Sequence, residues 1–256
     1  MSSPNRLISV IQLFDNGSPV RTVEEISQSL GISASTAYRS VRTLVRAGFL
    51  DPVTGAGYAL GPAFIRYDRV LRQNDTLIKV SDPVMSELLA HTNQNATVIL
   101  CRRFRDCVMC VHEVPGNKPH APTSYERGVA MPMFIGATSK IILAHLPDRT
   151  LKTTYLENEK MIRDVLKIGS WQDFKAQLKA IRRDGFALTD SEVAQGRIGL
   201  AAPIVRNGQV IASISLVVAR KQLGRQKVES LVPAVRAAAK SISQSVSRKR
   251  QLVTRG

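Results

Sequence analysis

Residues 33–47 read SASTAYRSVRTLVRA and decide how the N-terminal part of the chain folds. At 3.6 residues per turn, Ala37, Val41 and Leu44 fall on one side of a helix, which predicts a buried stripe. The stretch carries three arginines and no acidic residue, so its other side is basic. Hydroxyls and arginines at the start of a helix can donate to phosphates and base edges. We interpret it as a DNA recognition helix; the alternative is an amphipathic helix with a solvated basic face.

The flanking residues favour the first interpretation, because together they predict a winged helix-turn-helix. Thr22 and Glu25 have the spacing of a capping box that opens a short helix. Gly31 then supplies the left-handed residue of a tight turn into the recognition helix. Residues 6–15 have helical apolar spacing, and residues 49–60 predict two short strands around a Pro/Gly turn. Three helices followed by a hairpin are typical of a winged DNA-binding module.

The side chains predicted to contact DNA lie at the start of the recognition helix: Ser33, Ser35, Thr36, Tyr38, Arg39 and Arg42. Arg39 is the candidate for a base or phosphate contact, and the hydroxyls are candidates for positioning on phosphates. Tyr38 has an alternative role as a core residue where two helices cross. Arg46 lies two turns further on, and we interpret it as a solvated residue or a contact to the DNA backbone.

The formal net charge of +16 indicates a polyanionic partner, nucleic acid first and an anionic membrane second. Nine basic and six acidic residues precede Val80, whereas ten basic residues and one acidic residue follow Ala219. Much of the excess therefore lies in the C-terminal tail, and net charge alone does not locate a DNA site. Three cysteines form no secretory disulfide pattern, and no apolar run reaches about 18 residues. We expect no signal peptide, no membrane partner and a cytoplasmic location.

We expect the chain to have three segments: a DNA-binding domain at 1–61, a linker or dimerisation helix at 62–79 and a further domain at 80–256. The apolar seam of the linker helix needs a partner, which is either the same helix of a second subunit or its own C-terminal domain. The last segment predicts an antiparallel α+β domain. Its expected elements are strands 96–103, 107–114, 186–188, 197–205 and 210–219 and helices 84–92, 141–146, 151–168, 171–183 and 228–246.

Nearly end to end, the chain resembles the isocitrate lyase regulator (IclR) family of bacterial transcription factors. The matching residues are Ser35 to Arg39 with Leu44 and Gly48, Tyr58 to Gly61, Ser139 and Lys140 with Leu143 and Ala144, and Gly185, Glu192, Gly196, Ala202 and Pro203. The resemblance implies a winged helix-turn-helix and a linker helix that precede a GAF-like effector-binding domain with an antiparallel sheet and flanking helices. It also implies a homodimer or homotetramer that binds operator DNA. Such a protein represses or activates a catabolic operon in response to a small carboxylated or aromatic metabolite.

The residues predicted to bind the effector are Ala137, Thr138, Ser139, Gly199, Ser213 and Ser215. Free amides at a helix N-terminus suit a carboxylate, and inward serines could share it. Alternation along a strand places Ser213 and Ser215 on one face, which could instead be the solvent side. The chain departs from the family twice: other members often carry a cysteine at Gly199, and they usually read Gly-Lys where this chain has Ser139 and Lys140.

Neither a metal site nor a catalytic site is predicted. Cys107 and Cys110, with His112, suggest zinc ligands, but the two cysteines point to opposite faces of a strand and no second pair follows. We therefore interpret them as buried thiols and expect no cofactor. The sequence holds no nucleophile elbow, phosphate-binding glycine loop or HExxH motif, so we expect no enzyme. Two alternatives remain: an enzyme fused to a winged helix, and an unregulated nucleic-acid-binding protein whose second domain only oligomerises.

Overall fold

The computed structural model describes residues 3–116, 124–222 and 225–253, and it divides into two compact units between Asp75 and Thr76. The first unit has four helices and a two-stranded sheet: α1 (Ser3–Ile11), α2 (Val23–Leu30), α3 (Ala34–Arg46), β1 (Leu50–Val53), β2 (Gly57–Leu60) and α4 (Ala63–Asn74). The winged helix-turn-helix predicted from the sequence is confirmed.

A small core holds the first three helices and the wing together. Val10, Ile26, Val41, Leu44 and Leu50 are at most 3% exposed. The stripe predicted on α3 is therefore buried, and its burial fixes which side of the helix faces solvent.

Local signals set the angle between α2 and α3. The capping box is formed: Thr22 N donates to Glu25 Oε2 at 2.8 Å, and Glu25 N donates to Thr22 Oγ1 at 3.2 Å. Gly31 adopts a φ of 60° at the end of α2. Because this left-handed conformation favours glycine, the turn falls where the sequence places it.

The linker helix is shorter than predicted. α4 ends at Asn74, Asp75 is extended, and α5 (Thr76–Ala90) begins directly afterwards. The expectation that a helix starts only after Pro83 is wrong, because Pro83 lies inside α5. A proline in a helix loses one hydrogen bond, at a cost of about 3 kcal/mol. α5 offsets this cost by burying Leu77, Met85 and several other apolar side chains, each worth about 1.5–3 kcal/mol.

The second unit is built on one antiparallel sheet of six strands in the order β5-β4-β3-β8-β7-β6. Its elements after α5 are β3 (Ala96–Phe104), β4 (Cys107–Pro115), β5 (Ala130–Pro132), α6 (Ala137–Leu143), α7 (Asp148–Glu157), α8 (Glu159–Leu166), α9 (Trp171–Asp184), β6 (Ala187–Asp190), β7 (Arg197–Arg206), β8 (Gln209–Ala219), α10 (Arg225–Glu229) and α11 (Val232–Val253). The predicted hairpin turn at Asn207 and Gly208 is present, with a positive φ at both residues.

Helices cover both faces of this sheet. On one face, side chains such as Leu100, Ile214 and Leu216 pack in a core shared with α5 and α11. On the other face, Ile99 and Ala201 pack in a core shared with α6 and α9. Alternate residues of each central strand therefore enter different cores.

Several boundaries differ from the sequence prediction. α6 begins at Ala137 rather than at 141, so Thr138 and Ser139 lie in the helix and not in a loop before it. α11 continues to Val253, because a basic run without glycine or proline does not end a helix. β5 and α10 were not predicted, since elements of three and five residues carry too little periodicity. No described helix has the length and hydropathy that a membrane crossing requires.

Candidate functional site

The N-terminal half of α3 presents most of the predicted DNA-contacting residues to solvent. Ser33, Ser35, Tyr38, Arg39 and Arg42 are exposed, and Thr36 is half-buried. Tyr38 is 52% exposed, so its alternative placement in the core at the helix crossing is wrong.

Three of the exposed residues form a stripe along the helix. Ser35, Arg39 and Arg42 are separated by four and three residues, so they are neighbours on one side of α3, and Arg46 continues the line. This basic stripe lies opposite the buried side chains of Ala37 and Leu44. The first turn of α3 contains no acidic residue. The arrangement presents hydrogen-bond donors and positive charge on one accessible surface.

The hydroxyls of Ser33 and Thr36 organise the start of α3. Ser33 Oγ accepts a hydrogen bond from Thr36 N at 3.3 Å and lies 2.9 Å from Thr36 Oγ1. One hydroxyl proton is used between the two oxygens, and the other can still donate to an outside acceptor. The cap leaves the positive end of the helix dipole beside the basic stripe, which favours a phosphate there.

A pocket in the second unit lies at the start of α6. Its empty space amounts to about 410 Å³, a figure that includes the solvent at its open mouth. Its walls come from the segment before β5, the start of α6, β6, β7, β8 and the loop between β6 and β7. The lining residues are Ser124, Tyr125, Gly136, Ala137, Thr138, Thr189, Glu192, Val193, Ala194, Arg197, Gly199 and Val217.

The structure separates the six predicted effector-binding residues into two groups. Ala137, Thr138 and Gly199 line the pocket, whereas Ser139, Ser213 and Ser215 lie outside its lining and are fully buried. The alternative in which the serine face of β8 is the solvent side is therefore wrong. The two strand serines share the face of the sheet that α6 covers.

Two of the buried serines have partners within the protein. Ser213 Oγ donates to the carbonyl oxygen of Thr138 at 3.2 Å. Ser139 Oγ lies 2.8 Å from the hydroxyl of Tyr125, whose pKa is raised well above its usual range by burial. Ser215 Oγ has no hydrogen-bond partner among the residues that the structure describes.

The expectation that the helix start offers free amides is wrong for two of them. Gly136 N donates to Glu192 Oε2 at 3.1 Å, and Ala137 N donates to Thr189 Oγ1 at 3.1 Å. Glu192 also accepts a hydrogen bond from Lys140 Nζ at 2.6 Å through its other oxygen. Lys140 is only 2% exposed, and a buried ammonium requires a paired charge. Glu192 supplies that charge and fixes the loop between β6 and β7 against α6.

Sequence reasoning did not assign a role in the pocket to Tyr125, Thr189, Glu192 or Arg197. One signal was available, because Lys140 stands directly before the apolar run of Ile141 and Ile142. A lysine in such a setting is almost never fully buried unless it is paired. The sequence did not show which acidic residue would pair with it.

The residues weighed as zinc ligands have other partners. Cys107, expected to be a buried thiol, is only half-buried, and its Sγ donates to Phe104 O at 3.0 Å. Cys110 lies directly across from Cys101 on the neighbouring strand, and His112 Nε2 is 2.6 Å from Asp82 Oδ1. Burial raises the pKa of Cys101, whereas the hydrogen bond between the two thiols lowers the pKa of Cys110. Among the described residues, no three His, Cys, Asp or Glu side chains are grouped as metal ligands.

Comparison with known proteins agrees with both units. Residues 3–53 match the IclR helix-turn-helix domain, and residues 70–244 match the C-terminal domain of bacterial IclR transcriptional regulators. The chain is 23% identical to the HTH-type transcriptional regulator KipR of Bacillus subtilis, over 89% of this chain and 90% of KipR.

Two solved structures share the fold. An IclR transcriptional regulator from Alicyclobacillus acidocaldarius has a TM-score of 0.76 at 22% identity, covering 96% of this chain and 99% of that one. An IclR homologue from Microbacterium hydrocarbonoxydans, in complex with 4-hydroxybenzoate, has a TM-score of 0.76 at 20% identity, covering 95% and 98%. With two domain matches that span most of its length, the chain belongs to the IclR family of DNA-binding transcriptional regulators.

Proposed function

We propose that this protein is a ligand-responsive repressor or activator of a catabolic operon. Its first unit binds operator DNA, and its second unit binds a small carboxylated or aromatic metabolite in the pocket at the start of α6. The protein acts in the cytoplasm as a homodimer or homotetramer. The single observation that carries the proposal is the exposed basic stripe of Ser35, Arg39 and Arg42 on a winged helix-turn-helix.

On the DNA side, α3 enters the major groove with its N-terminal turns nearest the bases. Arg39 donates to a base edge or a phosphate, and the hydroxyls of Ser33, Ser35 and Thr36 position the helix on the backbone. A base contact by arginine is worth about 1–3 kcal/mol of discrimination, whereas a phosphate contact mainly changes the salt dependence. Specificity therefore depends on Arg39 more than on the hydroxyls.

On the ligand side, the pocket supports a role for the second unit in binding a metabolite, in addition to any role in oligomerisation. The related structure in complex with 4-hydroxybenzoate supports a carboxylated or aromatic ligand for this chain as well. The metabolite would favour one arrangement of the DNA-binding units. Its regulatory range is limited by its differential affinity for the two arrangements.

The proposed oligomer rests on the exposed apolar side of α4. Its apolar side carries Val70 and Leu71, which are 48% and 63% exposed in the single chain. Phe64 and Tyr67, further along the same side, pack on Phe49 of the winged unit. A second copy that covers Val70 and Leu71 would give a two-fold dimer, which suits an operator with two half-sites.

A mobility-shift titration tests the function against its alternatives. The probe is the DNA that flanks the gene, compared with unrelated DNA of equal length, at several salt concentrations and with candidate metabolites. The proposal requires preference for the flanking DNA and a change of affinity with a metabolite. Salt-dependent binding with neither feature would indicate the unregulated nucleic-acid-binding protein instead. Turnover of a metabolite without DNA would indicate the fused enzyme.

A further inference from the structure

The charged groups around the pocket are unevenly paired. Both carboxylate oxygens of Glu192 are occupied, one by Lys140 and the other by Gly136 N. The nearest acid on β6, Asp190, is paired with Arg220 and accepts a hydrogen bond from Ser191 Oγ at 3.0 Å. Each acidic side chain beside the pocket therefore already has its own donors.

Arg197 also lines the pocket, and it takes part in neither of these two ion pairs. Within the described part of the chain, its side chain forms no ion pair with an aspartate or glutamate. The remaining stretches, residues 1–2, 117–123, 223–224 and 254–256, contain neither of these acids. Among the residues that the structure describes, its guanidinium charge thus has no carboxylate partner.

The backbone holds Arg197 firmly at the edge of the pocket. It is the first residue of β7; its N–H donates to Ala194 O at 3.2 Å, and its carbonyl accepts from Ser191 N at 2.7 Å. Arg197 and Gly199 are two residues apart and share one face of the strand. Both residues line the pocket, so this end of β7 forms part of its wall. Arg197 is half-buried, which strengthens its attraction for an anion.

The rest of the lining is largely apolar. Ala137, Val193, Ala194 and Val217 contribute aliphatic surface to it. Glu192 also lines the pocket, and its negative charge disfavours a ligand that carries two carboxylates. A small apolar body with one carboxylate is the chemistry that complements such walls and a single unpaired guanidinium.

We propose that Arg197 is the anion anchor of this pocket, the residue by which this chain selects a ligand with one carboxylate. The inference rests on the proposed function, because it names the residue that binds the effector's charged group. The planar guanidinium receives the carboxylate through two parallel N–H···O hydrogen bonds. The pair of Lys140 and Glu192 stays intact, so the ligand need not displace a buried charge.

The test uses monocarboxylates of different shapes, pyruvate, hexanoate, benzoate and 4-hydroxybenzoate, each compared with its uncharged primary amide. Isothermal titration and thermal shift are measured at millimolar ligand on the full-length protein and on Arg197→Gln. Arg197→Lys restores the charge without the planar fork. Arg206→Gln is the matched control, because it removes the same charge from the other end of β7, outside the pocket lining.

We expect at least one acid to bind the wild-type protein about tenfold more tightly than its amide. Arg197→Gln should abolish that preference, Arg197→Lys should restore part of it, and Arg206→Gln should leave it unchanged. The inference is overturned if no acid binds the wild-type protein, or if Arg197→Gln and wild type bind the acids equally.

The same proteins are titrated with the gene-flanking DNA, so that the two proposals can fail separately. Carboxylate binding through Arg197 without any DNA preference would contradict the proposed function but support the role of Arg197. DNA preference without carboxylate binding would contradict the role of Arg197 but support DNA binding by the first unit. The melting temperature without ligand shows whether Arg197→Gln has lost stability. Arg197→Lys is measured in the same way as the folded comparison.

Discussion

At the residue scale, Gly199 sets how much room the pocket has. A Cβ built there would lie 3.3 Å from Thr189 Oγ1 and 3.5 Å from Ala137 Cβ. One methyl group can be accommodated if Thr189 shifts by a few tenths of an ångström, whereas a branched side chain would occupy the ligand's space.

We therefore predict that Gly199→Ala weakens ligand binding and that Gly199→Val abolishes it. The thermal shift produced by the best ligand measures the effect. The affinity for DNA is the control and should stay close to the wild-type value. The melting temperature without ligand shows how much stability the added side chain costs by overpacking against Thr189. Undiminished ligand binding by Gly199→Val would show that the ligand binds elsewhere.

Individual residues differ in how far the sequence predicts them. Arg39 could be placed on the outside of α3, because the helical period and the apolar stripe fix its position around the axis. Tyr38 had two possible placements, and only its 52% exposure in the structure decides between them. The pair of Lys140 and Glu192 could not be predicted, since the two residues are 52 positions apart and meet only through the sheet. The role of Arg197 likewise depends on which neighbouring charges are already paired.

At the scale of the element, the Ser33 hydroxyl has two roles in α3 that can be separated. It caps the helix, and we propose that it also faces a phosphate. Ser33→Ala should lower the free energy of unfolding by about 1 kcal/mol. Ser33→Asp keeps the cap but places a negative charge where the phosphate would lie.

We predict that Ser33→Asp has near wild-type stability and clearly weaker DNA binding, measured by urea denaturation and fluorescence anisotropy. Thr22→Ala is the matched control, because it removes the cap of α2 at a similar cost in stability. Its loss of DNA affinity should be small. Equal DNA affinity for Ser33→Asp and wild type would contradict the placement of this helix start on the DNA backbone.

The loop between β6 and β7 is held to α6 by a buried ion pair. Glu192→Gln leaves the Lys140 charge without its counter-ion, and we predict a loss of about 3–5 kcal/mol in the free energy of unfolding. Adding Lys140→Met removes the stranded charge, so the double variant should recover much of that loss in urea denaturation. The single variant Lys140→Met completes the comparison. If the double variant lost as much stability as the two single variants together, direct coupling of these side chains would be contradicted.

Element boundaries were predictable where a local signal marks them. Gly31 and the Thr22 capping box located the ends of α2, and Asn207 with Gly208 located the turn between β7 and β8. The start of α5 was misplaced, because Pro83 is a strong local signal that the burial of the helix overrides. The N-terminus of α6 was misplaced because Gly136 caps it without a side chain.

At the scale of the whole molecule, the exposed side of α4 leads to a prediction about assembly. Val70→Glu with Leu71→Glu should convert the protein into a monomer in analytical ultracentrifugation and weaken its binding to a two-half-site operator. Ile65→Glu is the control: Ile65 is 77% exposed but lies on the other side of α4. A dimer that survives the double substitution, or dissociates equally with Ile65→Glu, would place the interface elsewhere.

The sequence predicted the overall architecture better than it predicted the order of the strands in the sheet. The winged unit is made of neighbouring segments, so local patterns define it. In the sheet, the hairpins β3–β4 and β7–β8 were predictable from their turns. The central pairing of β3 with β8, in which Ile99 lies opposite Ser215, joins strands more than a hundred residues apart and had no local signal.

The central claim is that the exposed side of α3 binds DNA through Arg39. Fluorescence anisotropy with the gene-flanking DNA, for wild type, Arg39→Ala and Arg46→Ala, tests it most directly. Arg46 lies on the same side of the helix two turns further on, so it controls for the loss of one positive charge. We predict that Arg39→Ala abolishes specific binding while the protein stays folded, and that Arg46→Ala loses only part of the salt-dependent affinity. Unchanged binding by a folded Arg39→Ala would contradict the account.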